Sequence, residues 1–365
     1  MKRLLCIISN MNAGGAETFL MKVYRKMDRA KYQIDFCINT PEECFYSQEI
    51  RDLGGKIYYI PPKSENPKEF KRQLTALIKR ENYAYVLRMV SNAVGFMDLK
   101  IAKIAGAKVC SVRSCNSSSG KGIGVKIAHR VGRMLYGRYV DVKIAPSDLA
   151  AMHTFGKKAV ERGQVNMLNN AVDLSVFHYD AEARNRLREG FGVENRTVIG
   201  HVGRFMTQKN HGFLLDVFQE IHKQEENAVL LLVGGSGDLE NQIRQKVVDL
   251  GLEQSVIFTG IRSDVPHLLS AMDVFVMPSL FEGMPNTVIE AQATGLPCVI
   301  ADTITREANI TGLVEYLPLE NPAAWAESAL LAVRAERKDT RQDFIDNRYD
   351  IETTVNNFTK LVFGE

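Results

Sequence analysis

The 365-residue sequence lacks the features that mark secreted, membrane-spanning or fibrous proteins. Its six cysteines form no C-x-x-C pair and fall mostly in apolar runs, which predicts reduced thiols in a cytosolic protein and argues against a zinc site or a disulfide framework. No stretch approaches the ~20 apolar residues that span a bilayer, and the apolar run after Met1, Lys2 and Arg3 is too short for a signal peptide. Any membrane contact is therefore expected to be peripheral.

Net charge is also nearly absent, because 46 Lys+Arg almost balance 43 Asp+Glu to give +3. That balance conceals a split along the chain. Residues 1–175 carry 29 basic and 15 acidic side chains, a net of +14, whereas the rest of the chain carries a net of −11. A basic half points to a polyanionic or membrane partner. Nucleic acid is not the expected partner, because the cations lack interleaved aromatic residues and match no helix-turn-helix or zinc pattern.

Short apolar runs alternate with longer amphipathic stretches along the whole sequence. Strand–helix alternation with nearly all-apolar strands predicts parallel sheets that are covered on both faces. Two such blocks in a chain of this length predict two doubly wound α/β domains, with the turn-rich residues 169–173 as the linker. The predicted strands cover residues 3–8, 33–38, 56–60, 85–89, 108–112, 142–146, 198–202, 228–233, 256–259, 274–277 and 298–301, and three predicted helices cover residues 16–27, 67–81 and 97–105.

The strongest chemical signal is a strand, a Gly/Pro loop and a helix between Asp273 and Gly295. Ligands of doubly wound folds bind at the carboxyl ends of strands. The helix is predicted to begin near Asn286, where free N–H groups and the positive dipole end can hold a diphosphate. Glu290 lies four residues further on the same helix face and can bind a ribose, while Glu282 in the loop can hold sugar hydroxyls. The alternative is that both glutamates are solvated surface charges.

A second signal follows the predicted strand at residues 198–202, where Gly203, Arg204 and Lys209 form a turn that leads into a helix. Two fixed cations at a strand end can neutralise a departing diphosphate. The alternative is an ordinary basic turn.

Two glycine-rich turns are weaker signals. Gly14 and Gly15 follow the first strand and permit close backbone approach to a substrate, although such turns also serve helix packing. Residues 233–238 fit a nucleotide-binding edge and a tight turn equally well.

The stretch between Asp98 and Asp141 contains nine cations and no acidic residue. Within it, residues 123–139 have helical periodicity. A basic amphipathic helix favours anionic membrane surfaces. The alternative is a domain helix that buries one face and leaves its cations solvated. One predicted face carries Ile127, Val131, Met134 and Leu135, and the other carries Lys126, Arg130 and Arg133.

Taken together, these motifs resemble the family 4 glycosyltransferases of GT-B fold, and among them the bacterial enzymes of capsule and exopolysaccharide synthesis. The resemblance spans nearly the whole chain. It implies two Rossmann-like domains that face a central cleft: residues 1–170 for the acceptor and residues 171–345 for the nucleotide sugar, with residues 346–365 returning as a helix to the first domain. The residues that carry the resemblance are Gly14, Gly15, Ala16 and Glu17; Gly203, Arg204 and Lys209; and Phe281, Glu282, Gly283, Met284 and Pro285 followed by Glu290.

The resemblance implies a retaining hexosyltransferase that needs no metal or other cofactor. It would use a UDP- or GDP-sugar and a polyprenyl-diphosphate-linked saccharide acceptor, in the cytoplasm at the inner face of the plasma membrane. The implied residues are Arg204, Lys209 and Glu282 for catalysis; Gly15, Gly203, Gly283, Met284, Pro285, Asn286, Thr287 and Glu290 for the donor; and Gly14, Lys126, Arg130 and Arg133 for the acceptor or membrane.

One segment departs from this pattern. Close relatives tend to carry His-x-His after the fourth strand, where this sequence has Leu87, Arg88 and Met89. Two alternatives therefore stay open: a GT-B nucleotide-sugar epimerase that acts without an acceptor, and a non-catalytic binding subunit of a polysaccharide assembly complex.

Overall fold

The chain forms two compact α/β units, each with its own parallel sheet. The first unit comprises Met1–Ala171 and Ile351–Glu365, and the second comprises Val172–Asp350. Two doubly wound α/β domains are the fold class that the sequence predicts. Residues 346–350, which the sequence prediction assigned to the returning segment, belong to the second unit. The computed structural model describes residues 1–12, 14–115, 123–235, 237–282 and 284–365.

Strands and helices alternate along the described residues. The strands are β1 Lys2–Ile7, β2 Tyr32–Ile38, β3 Ile57–Tyr59, β4 Tyr85–Val90, β5 Val109–Ser114, β6 Val142–Ala145, β7 Asn166–Met167, β8 Thr197–Val202, β9 Ala228–Val233, β10 Val256–Gly260, β11 Val274–Met277, β12 Cys298–Ala301 and β13 Val314–Leu317. The α-helices are α1 Gly15–Lys26, α2 Ser47–Asp52, α3 Pro67–Glu81, α4 Phe96–Ala105, α5 Ile123–Tyr136, α6 Asp148–Phe155, α7 Lys157–Glu161, α8 Ala181–Phe191, α9 His211–Gln224, α10 Glu240–Asp249, α11 Val265–Ala271, α12 Asn286–Ala293, α13 Pro322–Val333, α14 Arg341–Asp346 and α15 Ile351–Phe363. Short 3-10 helices cover Ala93–Gly95, Gly137–Tyr139, Thr207–Lys209 and Arg306–Ala308.

The sheet of the first unit has the order β3-β2-β1-β4-β5-β6-β7, with parallel pairing. The order reverses between β1 and β4, because the chain first builds outward from β1 on one side and then returns to its other side. In β1, the run from Leu4 to Ile7 is fully buried. Burial on both faces explains why these strands are apolar throughout rather than alternating.

The sheet of the second unit repeats this plan with the order β10-β9-β8-β11-β12-β13. Here the reversal lies between β8 and β11, which pair in parallel through Ile199 and Val274. Every residue of β9 and of β11 is buried. Each unit thus has one position at which the loops after two neighbouring strands diverge and leave space for a ligand.

The final helix, α15, belongs to the core of the first unit. Its Phe358 ring lies edge-on to Phe19 of α1, with 6.2 Å between centroids. Phe363 packs against Tyr32 at 4.7 Å and against Tyr85 at 5.1 Å. The C-terminal residues therefore cover one face of the first sheet.

Helix α5 docks through a face that its periodicity does not predict. His129 and Gly132 are its buried contacts: the backbone N–H of Ala93 donates to His129 Nδ1 at 3.1 Å, and His129 Nε2 donates to the carbonyl oxygen of His153 at 2.8 Å. A side chain at Gly132 would bring its Cβ within 2.7 Å of the Ala93 carbonyl oxygen. The predicted apolar residues are exposed instead, by 59% for Ile127, 40% for Val131, 74% for Met134 and 49% for Leu135.

We predict that Gly132→Ala destabilises the first unit by about 1–3 kcal/mol, because the added methyl group would press on the Ala93 carbonyl. The matched control is Gly124→Ala in the same helix, where a Cβ meets nothing within 4 Å. The control is expected to be neutral or to stabilise by up to about 1 kcal/mol through helix propensity. Calorimetric unfolding measures both variants, and equal transition temperatures would contradict the docking geometry.

Candidate functional site

The two strongest sequence motifs lie next to each other in the second unit. One is the loop after β8 and the other is the loop after β11, and these strands are the pair at which the sheet order reverses. Because parallel strands deliver their following loops to the same edge, both motifs reach the carboxyl ends of the strands together.

Lys209 and Glu282 join these two loops. Lys209 Nζ donates to Glu282 Oε1 at 2.7 Å, and both side chains are mostly buried. Gln208 strengthens the connection, since its backbone carbonyl accepts from the Leu280 N–H at 2.8 Å and its side chain donates to the Phe281 carbonyl at 2.9 Å. The two loops are therefore fixed relative to each other by a charge-assisted bond and two neutral bonds.

Glycines bring the surrounding backbone close to this ion pair. A Cβ at Gly203 would lie 3.3 Å from the stem of Lys209 and 3.0 Å from His201 Nε2. Gly234, with φ of +145°, lies against the carbonyl oxygen of Gly203, and Gly237 lies against that of Phe205. The glycine-rich turn at residues 233–238 thus has a packing role beside the cationic loop, although Ser236 lies outside the described residues.

Arg204 differs from Lys209 in its surroundings. Its side chain is exposed, and within the described ranges no carboxylate pairs with it. A guanidinium without a protein anion beside it is free to bind an anionic ligand bidentately.

Helix α12 begins at Asn286 after Pro285, as the sequence predicts. The N–H groups of Val288 and Ile289 donate to the Pro285 carbonyl at 3.1 and 3.2 Å. Glu290 is half-buried four residues after Asn286. This helix end carries the positive pole of the helix dipole toward the same edge as the two loops.

The other predicted residues around α12 are distributed as follows. Met284 packs partly buried against the hydrophobic core of the second unit. Gly283, predicted to contact the donor, lies outside the described residues. At the far end of the helix, Gly295 has φ of +68° and lies against the Lys338 carbonyl. This left-handed conformation is the one that glycine commonly adopts just after a helix ends.

Two buried hydroxyls near this helix lack partners among the described residues. They belong to Thr287 in the first turn of α12 and to Ser279 just after β11. A buried hydroxyl without a hydrogen bond is costly, and a bound ligand can satisfy it. The sequence motifs included Thr287 but gave no reason to select Ser279.

Two buried histidines pack next to the loop after β8. The sequence analysis did not select them. His201 Nδ1 donates to the Val276 carbonyl at 2.8 Å, and its ring meets that of His211 at 4.8 Å between centroids. Burial, reinforced by His211, holds the pKa of His201 well below its ordinary value. Burial, reinforced by Lys209, lowers the pKa of His211 to about 4. Both rings are neutral at pH 7, so the positive charge of this loop belongs to Arg204 and Lys209.

The predicted glycines of the first unit lie where α1 begins. Gly15 is the first residue of the helix and Gly14 precedes it with extended backbone. A side chain at Gly14 would collide with the Glu17 carboxylate, which folds back over this helix end. Burial raises the pKa of Glu17. A diphosphate bordered by Gly15, as the sequence predicts, would therefore lie beside the Glu17 carboxyl group at the same helix end.

The predicted cations of α5 divide into two kinds. Lys126 and Arg130 are exposed. Arg133 is half-buried and lies over Gly156, where a Cβ would approach its Nη1 to 2.8 Å. Throughout the described residues, no helix has both the length and the apolar character needed to cross a bilayer.

Both loops lie in the part of the chain that matches a known protein family. Residues 196–334, which span both loops and α12, match the model described as "Glycosyl transferases group 1". EpsF of Bacillus subtilis strain 168, named as a glycosyltransferase, is 35% identical over 366 residues, which cover 97% of this chain and 94% of EpsF.

Two further comparisons extend the likeness. The UDP-Gal:alpha-D-GlcNAc-diphosphoundecaprenol alpha-1,3-galactosyltransferase of Escherichia coli is 28% identical over 268 residues, which cover 69% of this chain and 67% of that enzyme. The crystal structure of Anabaena HepE in complex with UDP aligns with this chain over the whole length of both proteins, with a TM-score of 0.79 and 18% sequence identity. At that identity the likeness to HepE shows the fold alone.

We predict that His211 makes the second unit acid-sensitive. Its folded-state pKa of about 4 lies below the ordinary 6.5, so the unfolded chain binds a proton first as the pH falls. The stability from neutral His211 is complete above pH 6.5 and is lost as the pH falls toward 4. In His211→Phe, the loss of stability between pH 7.5 and 4.5 should be smaller by about 2–3 kcal/mol than in the unsubstituted protein.

Fluorescence of Trp325 measures this effect during urea unfolding, because it is the single tryptophan of the chain and is buried in the second unit. The exposed His178 supplies the control, since His178→Asn should keep the unsubstituted pH dependence. Identical pH profiles for the His211→Phe variant and the unsubstituted protein would show that the buried pair does not titrate as described.

Proposed function

The chain belongs to the group 1 glycosyltransferases of GT-B fold, and from this membership we propose that it transfers a hexosyl unit from a nucleotide diphosphate sugar during bacterial cell-surface polysaccharide synthesis. Support for the process comes from relatives, which include an alpha-1,3-galactosyltransferase whose name gives UDP-Gal and alpha-D-GlcNAc-diphosphoundecaprenol, and the capsular polysaccharide biosynthesis glycosyltransferase CapH of Staphylococcus aureus. The sequence motifs resemble family 4 of these enzymes.

The observation that carries the proposal is the ion pair between Lys209 and Glu282 at the order reversal of the second sheet. It holds Lys209, which follows the exposed Arg204 by five residues, against the loop that leads into α12. A UDP- or GDP-sugar would place its diphosphate against these groups, with its ribose on Glu290 and its sugar near Glu282. HepE, of the same fold, has been crystallised with UDP and with UDP-glucose.

Charge stabilisation is the proposed source of catalysis. As the bond between the sugar and the diphosphate breaks, negative charge grows on the leaving group, and fixed cations stabilise that charge more in the transition state than in the bound donor. Departure and attack on the same face of the sugar would retain the anomeric configuration. Arg204 and Lys209 would take the part that a divalent metal plays in other transferases, so no metal is required.

The acceptor is proposed to be a polyprenyl-diphosphate-linked saccharide that binds the basic first unit. Helix α5 supports this view, because it exposes apolar residues such as Ile127 and Met134 together with Lys126 and Arg130. An exposed apolar and basic helix face suits the headgroup region of an anionic membrane. We therefore propose a cytoplasmic protein that associates peripherally with the inner face of the plasma membrane.

We predict that Arg204→Ala and Lys209→Met each lower the turnover of the cognate donor by about a hundredfold or more, because each removes a charge from the leaving-group site. Glu290→Ala should raise the donor KM more than it lowers kcat, since a ribose contact is equally strong in substrate and transition state. Release of UDP or GDP from a panel of nucleotide sugars measures all three variants. EDTA should leave the rate unchanged.

Lys223→Met is the matched control, because Lys223 is an exposed lysine of the same unit that pairs with Glu220. It should keep the full rate. Unchanged turnover in the Arg204 and Lys209 variants would disprove the site assignment. An epimerised donor formed without acceptor would favour the epimerase alternative, and absence of UDP and GDP binding in calorimetry would favour the non-catalytic subunit.

We also predict that α5 binds anionic vesicles. Replacing Lys126 and Arg130 with Gln should weaken binding to phosphatidylglycerol vesicles roughly thirtyfold, at ~1 kcal/mol for each cation. Met134→Asp should weaken it further by burying a charge in the headgroup boundary. Ile261→Asp is the control, because the Ile261 side chain is about as exposed (77%) as that of Met134 but lies in the second unit. Co-sedimentation that is insensitive to the α5 changes would refute this surface.

A further inference from the structure

A pocket of about 510 Å³ lies in the first unit at the carboxyl ends of β1 and β4. Its wall includes Ser9 after β1, Arg88 at the end of β4 and Lys63 after β3. β1 and β4 are the neighbours at which the strand order of this sheet reverses. The pocket therefore occupies, in the first sheet, the position at which doubly wound folds bind ligands.

Two cations of this pocket share one carboxylate. Lys63 Nζ lies 2.5 Å from Asp98 Oδ1, and Arg88 Nε donates to Asp98 Oδ2 at 2.8 Å. Arg88 Nη1 also donates to the Ile7 carbonyl at 2.9 Å. Asp98 is fully buried and does not line the pocket, so its carboxylate lies behind the cations. The group carries a net charge of +1.

The cations retain donors for a ligand. The bonds to Asp98 and Ile7 use two of the five N–H donors of Arg88, and Lys63 gives one of its three to Asp98. Among the described residues no carboxylate lines the pocket wall. Burial lowers the pKa of Lys63, and the Asp98 carboxylate opposes that shift. The two rigidly held cations thus present charge-assisted donors to a space that contains no protein anion.

Helix α5 connects the pocket to the surface that is proposed to face the membrane. Val125 and Ala128 of this helix line the pocket, whereas Ile127 and Met134 of the same helix are exposed. A helix with its side chains is about 10–12 Å across. An anionic group in the pocket would therefore lie about one helix width from the apolar surface, which suits the headgroup of a lipid whose chain stays in the bilayer.

We propose that this pocket binds a phosphoryl group of the diphosphate that links the acceptor saccharide to its lipid, with Arg88 and Lys63 as the binding residues. The inference rests on the proposed glycosyltransferase function and names the part of the acceptor that the first unit recognises. Arg88 lies in the segment that departs from the His-x-His pattern of the family that the sequence motifs resemble. A guanidinium keeps its charge at every physiological pH and binds phosphoryl oxygens in pairs, which a neutral imidazole does not.

Calorimetry with geranyl diphosphate tests the proposal on the full-length protein. Arg88→Gln and Lys63→Met should each weaken binding about tenfold to a hundredfold, the usual loss for a charge-assisted hydrogen bond. Arg72→Gln, which changes an exposed arginine of the same unit, should bind as the unsubstituted protein does. The same titrations in an Arg204→Ala background remove the contribution of the cationic loop of the second unit, and the losses caused by Arg88→Gln and Lys63→Met should persist there. Undetectable binding to the unsubstituted protein, or equal binding by the Arg88 and Lys63 variants, would overturn the proposal.

Asp98→Asn distinguishes charge recognition from a structural role. It keeps an acceptor for Arg88 and removes the one negative charge of the group, so geranyl diphosphate should bind at least as tightly as before. A merely structural role predicts weaker binding in all three pocket variants. Weakening by Asp98→Asn equal to that by Arg88→Gln would overturn recognition by charge. Thermal melts accompany each titration, and Lys63→Met keeps the test decisive if Arg88→Gln fails to fold.

Two further ligands identify the source of the phosphoryl group. Geraniol, which lacks the diphosphate, should bind at least tenfold more weakly than geranyl diphosphate, and inorganic diphosphate, which lacks the chain, should also bind more weakly. Equal affinity for inorganic diphosphate would overturn the lipid-linked source, and equal affinity for geraniol would overturn anion recognition. Binding of UDP and GDP to the second unit is a separate measurement, so failure of the proposed function is distinguishable from failure of this pocket.

Discussion

The reversal of strand order in each parallel sheet is the constraint on which the rest of the structure depends. A parallel sheet sends every following loop to one edge, and only beside β1 and β8 do the connections diverge to opposite faces. In the second unit that position receives Lys209, Glu282 and the start of α12. In the first it receives Arg88 and Lys63. The same topological feature thus holds cations in both sheets.

Neither group of cations is left alone in the fold. Lys209 is paired with Glu282, and Arg88 and Lys63 share Asp98. A partly buried cation needs such a partner, because its desolvation otherwise costs several kcal/mol. Pairing also fixes the direction in which the unused donors point. The ion pairs would therefore orient charge toward the ligands that we propose for the two units.

Much of the fold could be predicted from the sequence, because both faces of the inner strands are buried and leave uninterrupted apolar runs. All eleven predicted strands exist, within two residues of their predicted ends. The edge strands β7 and β13 were not predicted: β7 has two exposed residues, and β13 mixes apolar with polar residues. The periodicity of α5 identified an amphipathic helix but not its docking face, which His129 and Gly132 set through contacts with distant residues. Burial of His201 and His211 was unpredictable for the same reason.

The segment from Leu87 to Met89 lacks the expected histidines, and the structure shows what its central residue, Arg88, contacts instead. In the sequence it is only a missing histidine, which weakens the case for catalysis. In the fold, Arg88 reaches buried Asp98 and lines a pocket together with Lys63. A histidine exchanges protons near neutral pH, whereas an arginine does not. At this position Arg88 offers permanent charge rather than acid–base capability, which suits the anionic acceptor that we propose for the pocket.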